Sequence, residues 1–177
     1  YVITTRELSK MLKEAGIDLR DLEDEAFDNP LGESTGAGVI FGAAGGVLEA
    51  ALRTVYEHVN EKPLEDVDFT AVRGMRGVKE AEIRLNGKTV HVAAASGLGN
   101  ARKLLEKIEA GTSKYDVIEI MACPGGCING GGQPYSRERA ERIRARIEAL
   151  YAVDQEQVVR KSHENPSVRR LYDEYLD

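Results

Sequence analysis

An α/β fold, a layered sheet with one antiparallel portion, is predicted by three observations. Strand-like runs are interleaved with runs whose apolar residues recur at helical spacing. Asn86-Gly87 stands between two alternating runs, the strongest short-range sign of a hairpin. A β-rich run from Tyr115 to Met121 ends in a glycine-rich loop that holds both cysteines, and open α/β sheets place their sites at such strand ends.

Taken in order, Tyr1 to Thr4 reads as the end of a buried strand. Thr4 and Glu7 have the spacing of a capping box, Leu8, Met11, Leu12 and Ala15 share a helical face, and Gly16 follows as a left-handed cap. Asp21 to Asp28 is acidic and reads as a short helical turn or loop. Gly32-Glu33-Ser34-Thr35-Gly36-Ala37-Gly38 is too rich in small residues for regular structure, and Val39-Ile40-Phe41 is a short apolar run. Gly42-Ala43-Ala44-Gly45-Gly46 leads into a helix from about Val47, with Leu48, Ala51, Leu52, Val55 and Tyr56 on its face and Pro63 well past its end.

Val67 to Val72 reads as a strand. Ala81 to Leu85 and Thr89 to Ala93 flank the turn Asn86-Gly87-Lys88. The next helix runs from about Leu98 to Ala110, with Ala101, Leu104, Leu105 and Ile108 inward, and Tyr115 to Met121 is expected as a buried strand. A helix from about Ser136 is apolar at Ala140, Ile143, Ile147 and Leu150, and a charged tail ends in a short helix around Val168 to Tyr175. With no internal repeat and no domain break, residues 1–177 are expected to form a single domain.

The length, 177 residues, suits one domain with a real core, and 42% hydrophobic with 31% charged residues is an ordinary globular balance. A net charge of −6 argues against nucleic acid as a partner. No apolar run is long enough to span a bilayer, and no signal peptide is recognisable, which gives a cytoplasmic expectation. The chain opens on Tyr1 rather than Met and reads as a strand already under way, so an excised piece of a longer chain is expected.

Chemistry concentrates in the run Met121-Ala122-Cys123-Pro124-Gly125-Gly126-Cys127-Ile128-Asn129-Gly130-Gly131-Gly132-Gln133-Pro134. Thiolates ligate iron–sulfur clusters, and a cluster needs backbone folded closely around it, which the five glycines of this loop permit. From spacing alone the two thiols equally admit a disulfide, half a zinc site or inert packing. Two thiolates do not complete a cubane that wants four, so the remaining ligands would lie outside this chain or in a second copy. Gly36-Ala37-Gly38 between small and apolar residues has some likeness to a dinucleotide-binding turn, but Phe41 stands where a third glycine belongs. His58, His91 and His163 are scattered and make no metal cluster with the cysteines by spacing; Glu33, Ser34 and Glu49 are read as solvated or helix-capping rather than as proton relays.

The cysteine run resembles the third signature of the iron-only (FeFe) hydrogenase catalytic domain almost residue for residue. The resemblance extends along the chain, through Thr4-Thr5-Arg6-Glu7-Leu8, the stretch from Gly36 to Gly46 continuing into Glu49-Ala50-Ala51-Leu52-Arg53, Ala71-Val72-Arg73-Gly74, Lys79-Glu80-Ala81-Glu82 and Ser162-His163-Glu164-Asn165-Pro166. The family's first two signatures, which carry its other cluster cysteines and its proton-shuttling cysteine, are not present in this sequence. The resemblance implies the C-terminal half of the H-cluster domain of the large subunit: a three-layer αβα sandwich with a β-hairpin, one lobe of a two-lobed catalytic domain.

It further implies reversible interconversion of H2 with protons and electrons at an H-cluster. That cofactor is a 4Fe-4S cluster bridged by a cysteine thiolate to a two-iron subsite carrying CO, cyanide and a dithiolate. By position, Cys123 would be a terminal cubane ligand, Cys127 the bridging ligand, and Met121 and Phe41 the apolar wall around the two-iron subsite. Plain core packing is the alternative for Met121 and Phe41. The implied partners are the missing N-terminal half of the same domain and a redox partner such as ferredoxin, a nicotinamide-linked subunit or a cytochrome. The isolated chain is expected to be inactive. A hydrogenase-like iron–sulfur assembly protein and an H2-sensing domain are the alternatives.

Overall fold

A computed structural model of the chain describes residues 1–25 and 33–176. Helix α1, Thr5–Glu14, opens on the expected capping box: Glu7 N–H donates to Thr4 Oγ1 at 3.3 Å and Thr4 N–H to the Glu7 carboxylate at 2.7 Å. It closes through Gly16, with Gly16 N–H donating to Lys13 O and Ile17 N–H to Leu12 O. The apolar face holding Leu8 and Met11 is about half exposed. Tyr1 and Val2 are fully exposed and no strand forms there, because the backbone finds no neighbouring strand among the described residues. Of the acidic turn expected over Asp21 to Asp28, a 3-10 turn at Leu19–Asp21 is seen; residues 26–32 lie outside the described residues.

The small residues that follow are regular after all. Gly36–Val39 is one helical turn, α2, capped by Thr35, whose Oγ1 accepts from Gly38 N–H at 3.1 Å. Smallness here serves close packing: a Cβ on Gly36 would overlap the Asp154 side chain. Among the described residues no strand leads into the turn, as a dinucleotide-binding loop would require. A 3-10 turn, Ile40–Gly42, then leads to α3, Gly46–Asn60. The buried face of α3 includes Leu48, Glu49, Leu52 and Arg53, while Ala51 and Val55 are exposed, so it is rotated from the purely apolar expectation. The segment from Val67 to Val72 ends in a 3-10 turn, Thr70–Val72, rather than forming a strand; Arg53 Nε donates to Val67 O at 2.9 Å and occupies an acceptor that a strand would have used.

The sheet comprises β1 (Val78–Leu85), β2 (Lys88–Ser96) and β3 (Val117–Met121), in that order, with α4 (Leu98–Glu109) connecting β2 to β3. Strands β1 and β2 are antiparallel with Leu85 opposite Lys88, so the turn is Asn86-Gly87 alone, both at positive φ (46° and 77°) as a type I′ turn demands. Strands β2 and β3 are parallel. Along β2, Val92 and Ala94 join Leu48 and Leu52 of α3 on one face, and Ala93 and Ala95 join Leu104 of α4 on the other. Helix, sheet and helix thus make the three layers expected. Strand β3 is at the sheet edge, and Val117 and Ile120 are nearly half exposed rather than buried.

Helix α5, Arg139–Glu156, begins three residues later than expected, because Ser136 Oγ accepts from Glu138 N–H and holds a turn ahead of it. Ile143, Ile147 and Tyr151 pack on Ala37 and Ile40, a second core beside the sheet, while Ala140 is exposed. Helix α6, Pro166–Tyr175, is capped by Asn165. Among the described residues no helix is long and apolar enough to cross a membrane.

Candidate metal centre

Strand β3 delivers the chain from Met121 directly into the cysteine loop, and Gly97 N–H fixes the junction by donating to Met121 O at 2.8 Å. Both cysteines are free thiols, Cys123 half-buried and Cys127 exposed, which removes the disulfide reading. The loop folds back on itself: Gly126 N–H donates to Cys123 O at 3.0 Å, Gly130 N–H to Cys127 O at 2.9 Å, and Asn129 Nδ2 to Pro124 O at 2.8 Å.

Between the cysteines the loop lies flat on residues 42–44. Ala44 N–H donates to Gly125 O at 3.1 Å, and a Cβ on Gly126 would fall 2.5 Å from Ala44 N and 2.6 Å from Gly42 O. With φ at +104°, Gly126 is excluded to other residues both by conformation and by space. Helix α5 braces the far side, where Arg146 donates to Ile128 O at 2.8 Å and Arg139 Nε to Asn129 Oδ1 at 3.2 Å. Arg6 N–H of α1 donates to Gly132 O at 3.2 Å.

Phe41 and Met121 flank this loop. Phe41 belongs to the 3-10 turn whose Gly42 abuts Ile128, and it is 45% exposed; Met121 is half-buried at the end of β3. Neither belongs to a buried core cluster, so core packing does not account for Phe41. Beside Cys123 opens a cavity of about 360 Å³, lined by Ala122, Pro124, Gly130 to Gly132 and four arginines, Arg6, Arg139, Arg142 and Arg146. Among the described residues no carboxylate lines it. The cationic wall is notable in a chain of net charge −6, and it suits an anionic group held by thiolates.

Among the described residues the cysteines form no group of potential metal ligands with a histidine. His58 is exposed and His91 half-exposed; His163 bonds Thr54 Oγ1 through Nδ1 at 3.0 Å and Glu57 through Nε2 at 2.7 Å. Glu57, His163 and Glu164 could together offer three ligand atoms to a metal, but Lys161 Nζ already bonds Glu57 at 2.7 Å and Glu164 at 3.0 Å, and its ammonium opposes a cation there. Burial alone would raise the Glu57 carboxyl; hydrogen bonds from Leu64 N–H, Lys161 and His163 outweigh it and bring the pKa down to about 2.

Sequence reasoning missed two sets of residues. One is the buried charge network around Arg53, which is fully enclosed, bonds Asp154 bidentately at 2.7 and 2.8 Å, and reaches Glu49 at 2.8 Å. Glu49 is itself fully buried and also pairs with Arg73, so it is a structural anion and not a solvated residue. Its signal was the four-residue spacing of Glu49 and Arg53 on an otherwise apolar face. The other set is Lys79 and Glu119, charged residues on strand faces otherwise occupied by apolar ones.

The chain resembles known proteins over nearly all its length. Residues 1–131 match the model for the iron only hydrogenase large subunit, C-terminal domain, and residues 140–177 match that for the iron hydrogenase small subunit. The NADP-reducing hydrogenase subunit HndD of Solidesulfovibrio fructosivorans is 53% identical over 175 residues, 99% of this chain and 30% of that protein. Iron hydrogenase 1 of Clostridium pasteurianum is 44% identical over 179 residues, covering 99% and 31%. Protein NAR1 of Arabidopsis thaliana is 31% identical over 185 residues, covering 99% and 38%. A solved structure of a variant of the FeFe-hydrogenase HydA1 from Chlamydomonas reinhardtii superposes with a TM-score of 0.76 at 44% identity, over 99% of this chain and 51% of that one.

The chain therefore spans about a third of the length of these curated relatives and about half of the solved one. Arg53–Asp154, Asp68–Arg160 and Glu57–Lys161 each join the stretch that matches the large-subunit model to the stretch that matches the small-subunit model. With its fold, its cysteine loop and its first 131 residues all agreeing, this chain belongs to the family of the iron-only hydrogenase large subunit, C-terminal domain.

Proposed function

We propose that this chain is half of an FeFe-hydrogenase catalytic domain, in which Cys123 and Cys127 supply two of the thiolate ligands of an H-cluster. The observation that carries the reading is the loop itself: two free thiols beyond the carboxyl end of β3, separated by glycine backbone pressed onto residues 42–44, with Cys123 lining an arginine-walled cavity. These residues fit half of a cluster site. Thiolates are the right donors, and the glycines leave room for a bulky inorganic group. The remaining ligands come from the preceding half of the same domain, which is the first partner proposed.

In this reading Cys123 and Cys127 would both hold the group, Cys123 at its 4Fe-4S part and Cys127 where that part joins the two-iron part. When bound, the group supplies the redox centre at which H2 is interconverted with protons and electrons. The chain's own residues hold and shield it. Met121 and Phe41 present a thioether and an aromatic ring, apolar fillers that exclude water on the side of the two-iron part. Phe41 is exposed in this chain, and the preceding half would cover it. Arg6, Arg139, Arg142 and Arg146 line the cavity beside Cys123 and place positive charge where an anionic group would sit. The name of the NADP-reducing relative supports a nicotinamide-linked redox partner, with ferredoxin as the other class. The isolated chain is expected to show no hydrogen uptake or evolution, and measurable turnover would show that the upstream cysteines are dispensable.

A second reading, a cytosolic iron–sulfur assembly protein, is supported by the 31% identity to NAR1 and 32% to the Xenopus tropicalis assembly factor narfl, both over 99% of the chain. The higher identities to hydrogenases favour the first. The test is the infrared spectrum of the full-length protein made with hydrogenase maturation proteins, in the CO and cyanide stretching region. Sharp bands that vanish in Cys127→Ser support the two-iron group; a 4Fe-4S signal without those bands moves the reading to the assembly class.

A further inference from the structure

Lys79 and Glu119 stand in one row across the sheet. Lys79 of β1 pairs with Ala94 of β2, and Ala94 pairs with Glu119 of β3. All three belong to the face that carries Val92 and Ile83 against α3. Alternation predicts apolar residues there, yet the row reads cation, alanine, anion. Lys79 is 2% exposed and is the one buried lysine among the described residues. Ala94 is too small to fill the space between its charged neighbours, and the chain at the start of α3 fills it instead.

Both charges are spent on that chain. Lys79 Nζ donates to Ala44 O and, at 3.2 Å, to Gly74 O. The Glu119 carboxylate accepts from Gly45 N–H at 2.6 Å and from Leu48 N–H at 2.7 Å, so it caps the N-terminus of α3 from across the sheet. Residues 44 and 45 are therefore gripped from both sides. Gly45, at φ +92°, has no room for a side chain between Val72 O and the Lys79 ammonium.

The far side of the same segment is the seat of the cysteine loop. Ala44 N–H holds Gly125 O, and Gly126 lies on Ala44 N and Gly42 O. We propose that Lys79 and Glu119 are positioning residues for the cysteine loop: by clamping residues 44 and 45 they fix the backbone on which Gly125 and Gly126 rest, and so set the spacing of the thiols of Cys123 and Cys127. Burial of Lys79 agrees with this role. It lowers the ammonium pKa to about 8 against the opposing pull of Glu119, a cost a residue of purely apolar function would not carry. The significance for a cluster rests on the proposed function; the clamp itself does not.

The experiment uses the full-length protein in two variants, Lys79→Met, which keeps the stem and removes the ammonium, and Glu119→Gln, which keeps shape and removes charge. Hydrogen exchange is followed in the metal-free protein. Peptides spanning residues 42–48 and 122–130 are expected to exchange at least tenfold faster in both variants, with the β1–β2 hairpin and α5 unchanged. Rates within twofold of the unaltered protein would overturn the clamp. So would a uniform acceleration throughout both variants, which marks a general loss of stability.

The proteins are then loaded with iron and sulfide alone. Loss of the 4Fe-4S absorbance to a chelator is expected to be at least fivefold faster in the variants, with shifted g-values of the reduced cluster. Unchanged g-values and chelation rates would remove the positioning role even if exchange had risen. If the unaltered protein takes up no cluster, the ligand reading of the cysteines fails, and the exchange data still decide the clamp.

Discussion

Two glycine-rich stretches, residues 36–46 and residues 125–132, look alike in sequence and differ in what their glycines do. In the first, the glycines make room. Gly36 lies under Asp154, Gly45 against Val72 O, and Gly46 against Ile40 O, and all three are buried. In the second, Gly125, Gly126 and Gly132 take positive φ and would clash with a Cβ, whereas a Cβ on Gly131 would meet nothing within 4 Å. The two stretches meet where Gly126 rests on Ala44. Glycine density alone does not mark close backbone approach at every position, and the candidate site lies where one such stretch is stacked on another.

Filling the space at a buried glycine has the largest expected effect. Gly45→Ala forces a side chain into positive φ and into the Val72 carbonyl, so a loss of roughly 4 kcal/mol or more is expected, with no cooperative transition as the extreme outcome. Gly131→Ala is expected to change stability by less than about 1 kcal/mol. Urea denaturation of both variants checks the pair. Equal losses would mean that the stretches are packed alike.

The next effect concerns what Gly36 makes room for. Asp154 is fully buried, and its carboxylate answers the enclosed Arg53 and the Arg160 guanidinium. Asp154→Ala leaves Arg53 buried with one fewer anion, and a loss of about 3–5 kcal/mol is expected. Because this pair ties α5 to α3, limited proteolysis should cut after residue 138 in the variant before it cuts the sheet. A loss below about 1 kcal/mol in denaturation would show that Glu49 alone satisfies Arg53.

These differences set what could be read in advance. The capping box at Thr4, the hairpin at Asn86-Gly87 and the strand leading into Cys123 were legible because each rests on local chemistry within a few residues. The clamp of Lys79 and Glu119 was not, because its partners are backbone groups 35 and 74 residues away, and only the sheet register brings them into one row. The helical turn at Gly36 was missed for a related reason: small residues weaken a local helix signal, and the packing against Asp154 that rewards them is distant in sequence. The thiols were legible as a site from residue type and loop composition, while the arginines around them were hidden among the ordinary charges of α1 and α5.

The smallest expected effect uses pH to separate the two stretches. Around the first, docking of the C-terminal tail depends on carboxylates. Glu57 answers Lys161 and His163, and its carboxyl is held at about 2 against an ordinary value of 4.5. A depressed carboxyl contributes stability that is fully present above 4.5 and is lost as pH falls toward 2. After allowance for solvent screening, about 1 kcal/mol is expected from this group. Asp68 and Asp154, also lowered because their arginine partners outweigh burial, add to the same trend. The cysteine loop is held to residues 42–44 by a backbone hydrogen bond, which does not titrate, and the Glu119 carboxylate acts on the loop only at one remove, through Gly45. Hydrogen exchange between pH 5 and pH 3, corrected for intrinsic rates, should therefore lose protection first at residues 159–168 and later at residues 123–130. Glu57→Gln should flatten the response of the tail, and simultaneous loss in both segments would mean that the loop depends on the tail for its shape.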